Sequence, residues 1–158
     1  MIIKFEARDL MLVAHFADRQ HFNKVRQGAT DLKHSTKLTP FEIHYIGALG
    51  EFAVAKATKS KVDWEVRHGS DGGVDLIVNG KPVQVKTFRY QGPDKQFYLD
   101  TKEQFITEVC YMCRIVSPCQ VEVVGTIDRA TFLAEATCRD YGYGMRWSVP
   151  ESLLRPLE

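Results

Sequence analysis

Asn79-Gly80 constrains this chain more than any other pair of residues. It sits between two short alternating runs in DGGVDLIVNGKPVQVKT, residues 71–87. Both residues tolerate positive φ, and a two-residue loop of this kind closes a β-hairpin. Val78 then faces Lys81, and pairing outward sets Ile77 against Pro82, Leu76 against Val83 and Asp75 against Gln84. The Asp75–Gln84 pair falls at a non-hydrogen-bonded position, where side chains lie closest. Lys86 is two residues further on and shares that face. A four-residue loop would slide the partners but keep the parity. Pro82 is tolerated, because its missing N–H points away from the partner strand. Val74, Leu76, Val78, Val83 and Val85 carry the opposite parity and need a core. The Asp75, Gln84 and Lys86 face is therefore expected to open on a cleft. Its bland alternative is a solvated face with an Asp–Lys pair of little energetic weight.

A chain of 158 residues, 44% of them hydrophobic, is enough for one domain with a real core. No apolar run is long enough to span a bilayer, and MIIKFEARDLML is charged too early for a secretory leader. Four cysteines in an ordinary composition suit a reducing cytoplasm. A net charge of +1 excludes polyanion binding by bulk charge, but the distribution is uneven. Residues 1–90 carry 14 Lys/Arg against 10 Asp/Glu, and residues 91–158 carry 7 against 10. The hairpin therefore lies in the basic part.

Ile2 to Phe5 reads as a short strand or a frayed start. Ala7 to Val25 reads as a helix with Leu10, Val13, Ala14, Ala17 and Phe22 near one face. The polar stretch that follows holds Lys33 and Lys37. These two, with Arg67, His68 and Arg89 near the hairpin, are candidate phosphate contacts, or else solvated loop residues. Thr39-Pro40-Phe41-Glu42 carries a capping box and a first-turn proline, so a helix should run to about Thr58. Its buried stripe is Ile43, Ile46, Leu49, Gly50, Ala53 and Ala57. Glu51 lies beside that stripe, among Gly47, Ala48 and Ala55, which would let a strand or ligand approach it. Val62 to Arg67 reads as a strand leading into a glycine-rich turn. FYLD, residues 97–100, is a short strand, and Asp100 or Thr101 can cap a short helix to about Glu108. Cys110–Val116 and Gln120–Ile127 form a strand pair, Arg129–Ala136 is a short helix, Trp147–Val149 is extended, and Pro150–Leu154 is a terminal turn or helix.

A helix bearing Glu51, then a strand, then Asp75, then Gln84-x-Lys86 on the next strand resembles the PD-(D/E)xK nuclease superfamily, in its glutamine variant. Small phage and restriction-type nucleases and archaeal Holliday-junction resolvases share that layout. The resemblance covers residues 40–90 well and extends to a core of about 40–127, where a crossover helix and two further strands are usual. It implies one α/β domain over residues 1–158: a central mixed β-sheet flanked by helices, with a restriction-endonuclease-like core. It also implies a metal-dependent endonuclease acting on DNA with Mg²⁺ or Mn²⁺. Asp75 would be the main ion ligand, joined by the Gln84 amide oxygen and the Val85 carbonyl, with Glu51 acting through water or at a second ion. Lys86 would orient water or neutralise developing charge. Many nucleases that cut both strands work as homodimers. Val74 stands where proline is common, and Gln84 is neutral where an acid is more usual. That lowers the charge available to an ion and keeps open a catalytically silent fold that binds nucleic acid or protein.

The spacing Cys110-x2-Cys113-x5-Cys119, with Cys138 later, is similar to that of the iron–sulfur exonucleases of the RecB-like group. Those place a cysteine before the nuclease core, and none precedes it here, so buried thiols are expected in place of an iron–sulfur cluster or zinc. No HxH or HExxH spacing is present, and Ser70 and Ser148 lack a nucleophile-elbow context. Trp64, Trp147, Tyr141 and Tyr143 read as core or rim aromatics.

Overall fold

Helix α2 (Pro40–Thr58) starts where its cap dictates. The Glu42 N–H donates to the Thr39 hydroxyl at 3.2 Å, and the Thr39 N–H donates to the Glu42 carboxylate at 2.7 Å. Lys59 ends it in a left-handed conformation, φ 55°. The computed structural model describes residues 1–26, 28, 38–64, 73–89, 95–142 and 144–157. Before α2 come β1 (Ile2–Lys4) and α1 (Ala7–Arg26). Val13, Phe16 and Ala17 of α1 are buried, but Phe22, expected in the same stripe, is 60% exposed. Lys56 donates to Asp9 at 2.7 Å between the two helices, and that hydrogen bond holds the Asp9 carboxyl below its usual range. The buried arc of α2 runs over Ala48–Gly50 and Phe52–Ala55, wider than the expected stripe, because both α1 and a sheet cover it. Ile43, at the exposed end of that stripe, is not buried.

The hairpin forms in the expected register. β2 (Leu76–Val78) pairs with β3 (Lys81–Phe88) as Val78–Lys81, Ile77–Pro82 and Leu76–Val83. Asn79 and Gly80 take φ of 50° and 78°. β3 then runs parallel to β5 (Val109–Ser117), which pairs antiparallel with β6 (Gln120–Asp128), and β6 pairs with β1. The fold is α/β, with a mixed sheet ordered β1-β6-β5-β3-β2. Of the expected strand from Val62 to Arg67, Val62 makes an isolated bridge to Leu76, and residues 65–67 lie outside the described set.

The connection from β3 to β5 differs from the expectation. It contains β4 (Gln96–Leu99) and a single 3-10 turn at Lys102–Gln104 in place of a helix. Thr101 makes no side-chain cap bond there, so a longer helix lacks its start signal. After β6 come α3 (Arg129–Glu135), β7 (Thr137–Asp140), β8 (Met145–Pro150) and a 3-10 turn at Glu151–Leu153. β4, β8 and β7 make a second, antiparallel sheet. Strand β7 has no counterpart among the expected elements. All four of its side chains are exposed, so no alternation marks it.

Two cores lie on opposite faces of the main sheet. Leu76, Val78, Val83, Val85, Val121 and Val123 pack with α1 and α2. Phe88, Cys110, Met112 and Ile127 pack with Phe97, Phe105, Phe132 and Val149. The face expected to open on a cleft is therefore largely covered, because the crossover, α3 and β8 fold onto it. Cys110 and Cys113 fall in different cores, while Cys119 and Cys138 are exposed.

Asp128 caps α3, accepting from the Thr131 N–H and hydroxyl at 2.8 Å each and from Arg155 at 2.8 Å. The Thr131 N–H, then its hydroxyl, hold the Asp128 carboxyl below its usual range. A depressed folded value means stability present above the unfolded value and lost as pH falls through the folded one. Asp128→Ala is expected to lower stability by about 1 kcal/mol at neutral pH. In urea titrations the gap to wild type should close below pH ~4, where the unfolded carboxyl protonates.

Candidate functional site

The site is organised around the backbone of Val85. The hairpin ladder ends at Leu76–Val83, and the Asp75 N–H still donates to the Val83 carbonyl at 3.0 Å. Asp75 thus slips out of register and does not face Gln84 as a ladder partner. Its carboxylate instead accepts the Val85 N–H at 2.6 Å. In a strand the N–H and C=O of one residue point to the same edge. The Val85 carbonyl is therefore directed to the edge that β2 has left and that Asp75 occupies.

Gln84 is 3% exposed, and its amide is engaged at both ends. Nε2 donates to the Gln104 carbonyl at 2.8 Å, and Oε1 accepts the Ile106 N–H at 2.8 Å. The Thr107 N–H and hydroxyl stand 3.4 Å from the same oxygen. A carbonyl only accepts and an N–H only donates, so these partners fix which way the amide points.

Lys86 shares the Gln84 face, since the two lie beside Met112 and Cys110 of β5. It is half-buried, and among the described residues its ammonium has no ion-pair partner. Burial pushes the Cys110 thiol up to about 12, with the Lys86 charge pulling it down and the Asp75 charge pushing it up. Cys110 is the β5 register partner of Gln84.

Glu51 is half-buried on α2. That helix packs on the opposite face of β3, the face of Val83 and Val85. The expected convergence on one face is thus divided. Gln84 and Lys86 lie on one side, Glu51 belongs to the helix on the other, and Asp75 stands at the edge between them. The seat of α2 is tight at Gly50. A Cβ there would overlap the Thr87 hydroxyl and lie 3.2 Å from Val85 Cγ1. The Thr87 hydroxyl is buried without a hydrogen-bond partner among the described residues.

This edge suits a hard divalent ion. Asp75 offers a carboxylate oxygen at the edge toward which the Val85 carbonyl is directed, and Mg²⁺ keeps several waters beyond one or two carboxylates. Gln84 does not suit that role, because its oxygen already serves the crossover backbone. No cluster of three His, Cys, Asp or Glu that could hold a metal occurs among the described residues. Of the candidate phosphate contacts, Arg89 is exposed at the end of β3, while Lys33, Lys37, Arg67 and His68 lie outside the described residues. Sequence reasoning missed Gln104, Ile106 and Thr107, which lie 20 to 23 residues from Gln84 and carry no local signal of the contact. It also missed the Gly50–Thr87 contact, although strand parity puts Thr87 on the Val85 face. Among the described residues no helix is long and apolar enough to cross a membrane. No protein-family model matches this chain, and no curated protein matches its sequence.

Proposed function

We propose that this protein is a metal-dependent endonuclease that hydrolyses DNA phosphodiester bonds. The observation that carries the reading is the Asp75 carboxylate accepting the Val85 N–H at 2.6 Å, on the strand that bears Lys86 at the next position. A bound divalent ion supplies charge stabilisation for the phosphate and a lowered pKa for the attacking water. Asp75 and the Val85 carbonyl would hold that ion at the strand edge. Glu51, on the helix packed against the other face of β3, would contribute through water. Lys86 donates to the oxygens on which negative charge develops, or orients the water. The preference for DNA rests on the resemblance and on the basic balance of residues 1–90. A cytoplasmic setting belongs to the same reading, since all four cysteines are free thiols.

The test is cleavage of supercoiled plasmid and of branched DNA in Mg²⁺, Mn²⁺ or EDTA. Ion-dependent nicking or cutting supports the reading. One observation favours a second reading, a silent nuclease-like module that binds nucleic acid or protein: Gln84 is engaged elsewhere, which leaves two carboxylates for the ion. DNA binding without cutting in Mn²⁺ would support that module instead.

A further inference from the structure

We propose that Gln84 is a positioning residue and not an ion ligand: its buried amide is a two-ended buckle that fixes the crossover segment Gln104–Thr107 beneath the approach to Asp75. Only the clause about the ion rests on the nuclease reading. The geometry is closed on three sides. Gln84 belongs to β3, its amide holds the crossover by the Gln104 carbonyl and the Ile106 N–H, and Gly73 lies against both. A Cβ on Gly73 would stand 3.3 Å from Gln84 Nε2 and 2.5 Å from Ile106 Cδ1, and Gly73 takes φ +73°. The chain leading to Asp75 therefore runs over this amide and over Ile106.

The chemistry demands an amide. One end must donate to a carbonyl and the other must accept from an N–H. An ionised carboxylate accepts at both ends and would set an anionic oxygen against the Gln104 carbonyl. A protonated glutamic acid restores the amide's pattern, with its O–H donating to Gln104 and its C=O accepting from Ile106. The neutral residue at this position is thus what the crossover requires.

The test compares wild type, Gln84→Glu and Gln84→Met without DNA. The readouts are the protection factor of the Ile106 amide in hydrogen exchange, urea stability against pH, and Mn²⁺ binding by water-proton relaxation. At pH 7 both variants should lose roughly tenfold or more of the Ile106 protection: Gln84→Met leaves the buried Ile106 N–H without its acceptor, and Gln84→Glu sets a carboxylate oxygen against the Gln104 carbonyl and pushes the segment away. Gln84→Glu should recover as pH falls. Protonation at position 84 restores a donor to the Gln104 carbonyl, so the stability of this variant should be fullest at low pH and be lost as pH rises. Gln84→Met should show no such recovery. Lys86, Cys110 and Asp75 around position 84, and Glu103 and Glu108 bordering the crossover, are common to all three proteins, so differences between them isolate position 84. Mn²⁺ affinity should be no higher in Gln84→Glu than in wild type. Retained Ile106 protection with tighter Mn²⁺ binding in Gln84→Glu would overturn the proposal and make position 84 a ligand. If wild type binds no Mn²⁺, the nuclease reading fails while exchange and pH still decide the buckle.

Discussion

Asp75→Asn is expected to abolish ion-dependent cleavage while the protein keeps its fold. The substitution preserves side-chain volume. The asparagine carbonyl oxygen can still accept the Val85 N–H, which the carboxylate takes at 2.6 Å in wild type. Only the charge and one strong acceptor disappear. If the carboxylate holds the ion that stabilises the transition state, its loss should reduce the rate by ~10³-fold, the range seen when one strong electrostatic contact to developing charge is removed. Asp75→Ala is a poorer probe, because it also deprives the Val85 N–H of its acceptor and mixes a structural penalty into the kinetics. Initial rates on plasmid in Mg²⁺, beside matched urea melts, separate the two effects. An Asp75→Asn protein that cuts within a few-fold of wild type would remove Asp75 from the chemistry. Lys86→Ala is expected to follow the same pattern, with lost cleavage and retained fold.

The second large effect concerns stability and comes from Gly50. Adding a Cβ there would overlap the Thr87 hydroxyl, with Thr87 Cβ 3.1 Å away. Neither side can yield easily. Gly50 is in the middle of α2, and Thr87 lies inside β3, paired with Cys113 of β5. Overpacking of this kind costs about 3 kcal/mol. Replacing a helical glycine by alanine returns ~1 kcal/mol. Gly50→Ala should therefore lose about 2 kcal/mol net, a drop in Tm of roughly 5 °C for a chain of this size. Thr87→Ala should restore most of the loss, because it removes the overlapping hydroxyl, and that hydroxyl has no hydrogen bond to lose among the described residues. Non-additivity in a double-mutant cycle is the diagnostic. If Gly50→Ala is as stable as wild type, α2 does not sit on β3 as described. Because Glu51 is the next residue, a shifted helix should also weaken any cleavage.

These two sites differ in how legible their residues are in the chain. The hairpin from Leu76 to Val83 can be read from the amino acids alone, because its register depends on two turn residues and a two-residue alternation, whereas the expected Asp75–Gln84 pair does not form. The Gly50–Thr87 contact is partly legible by parity, since Thr87 shares its face with Val83 and Val85. The covered face is not legible. Gln84 and Lys86 look solvent-facing because their own strand alternates polar with apolar. Yet Phe97, Phe105 and Phe132 arrive over that face from distant segments. Alternation reports which residues differ from their neighbours, not what will later pack on them.

The sequence by itself determined the Asn79-Gly80 turn and its register, the Thr39–Glu42 cap, the β5–β6 pair and the choice of Asp75 and Lys86 as chemical candidates. Each depends on interactions within a few residues, or on a repeat that local geometry enforces. Only the tertiary structure decided that β3 runs parallel to β5, that α2 lies across the sheet from Gln84, that Asp75 turns to the edge at Val85, and that the Gln84 amide ties down the crossover. Those outcomes depend on how segments twenty or more residues apart satisfy buried polar groups and close two cores around one sheet. No short-range pattern encodes that.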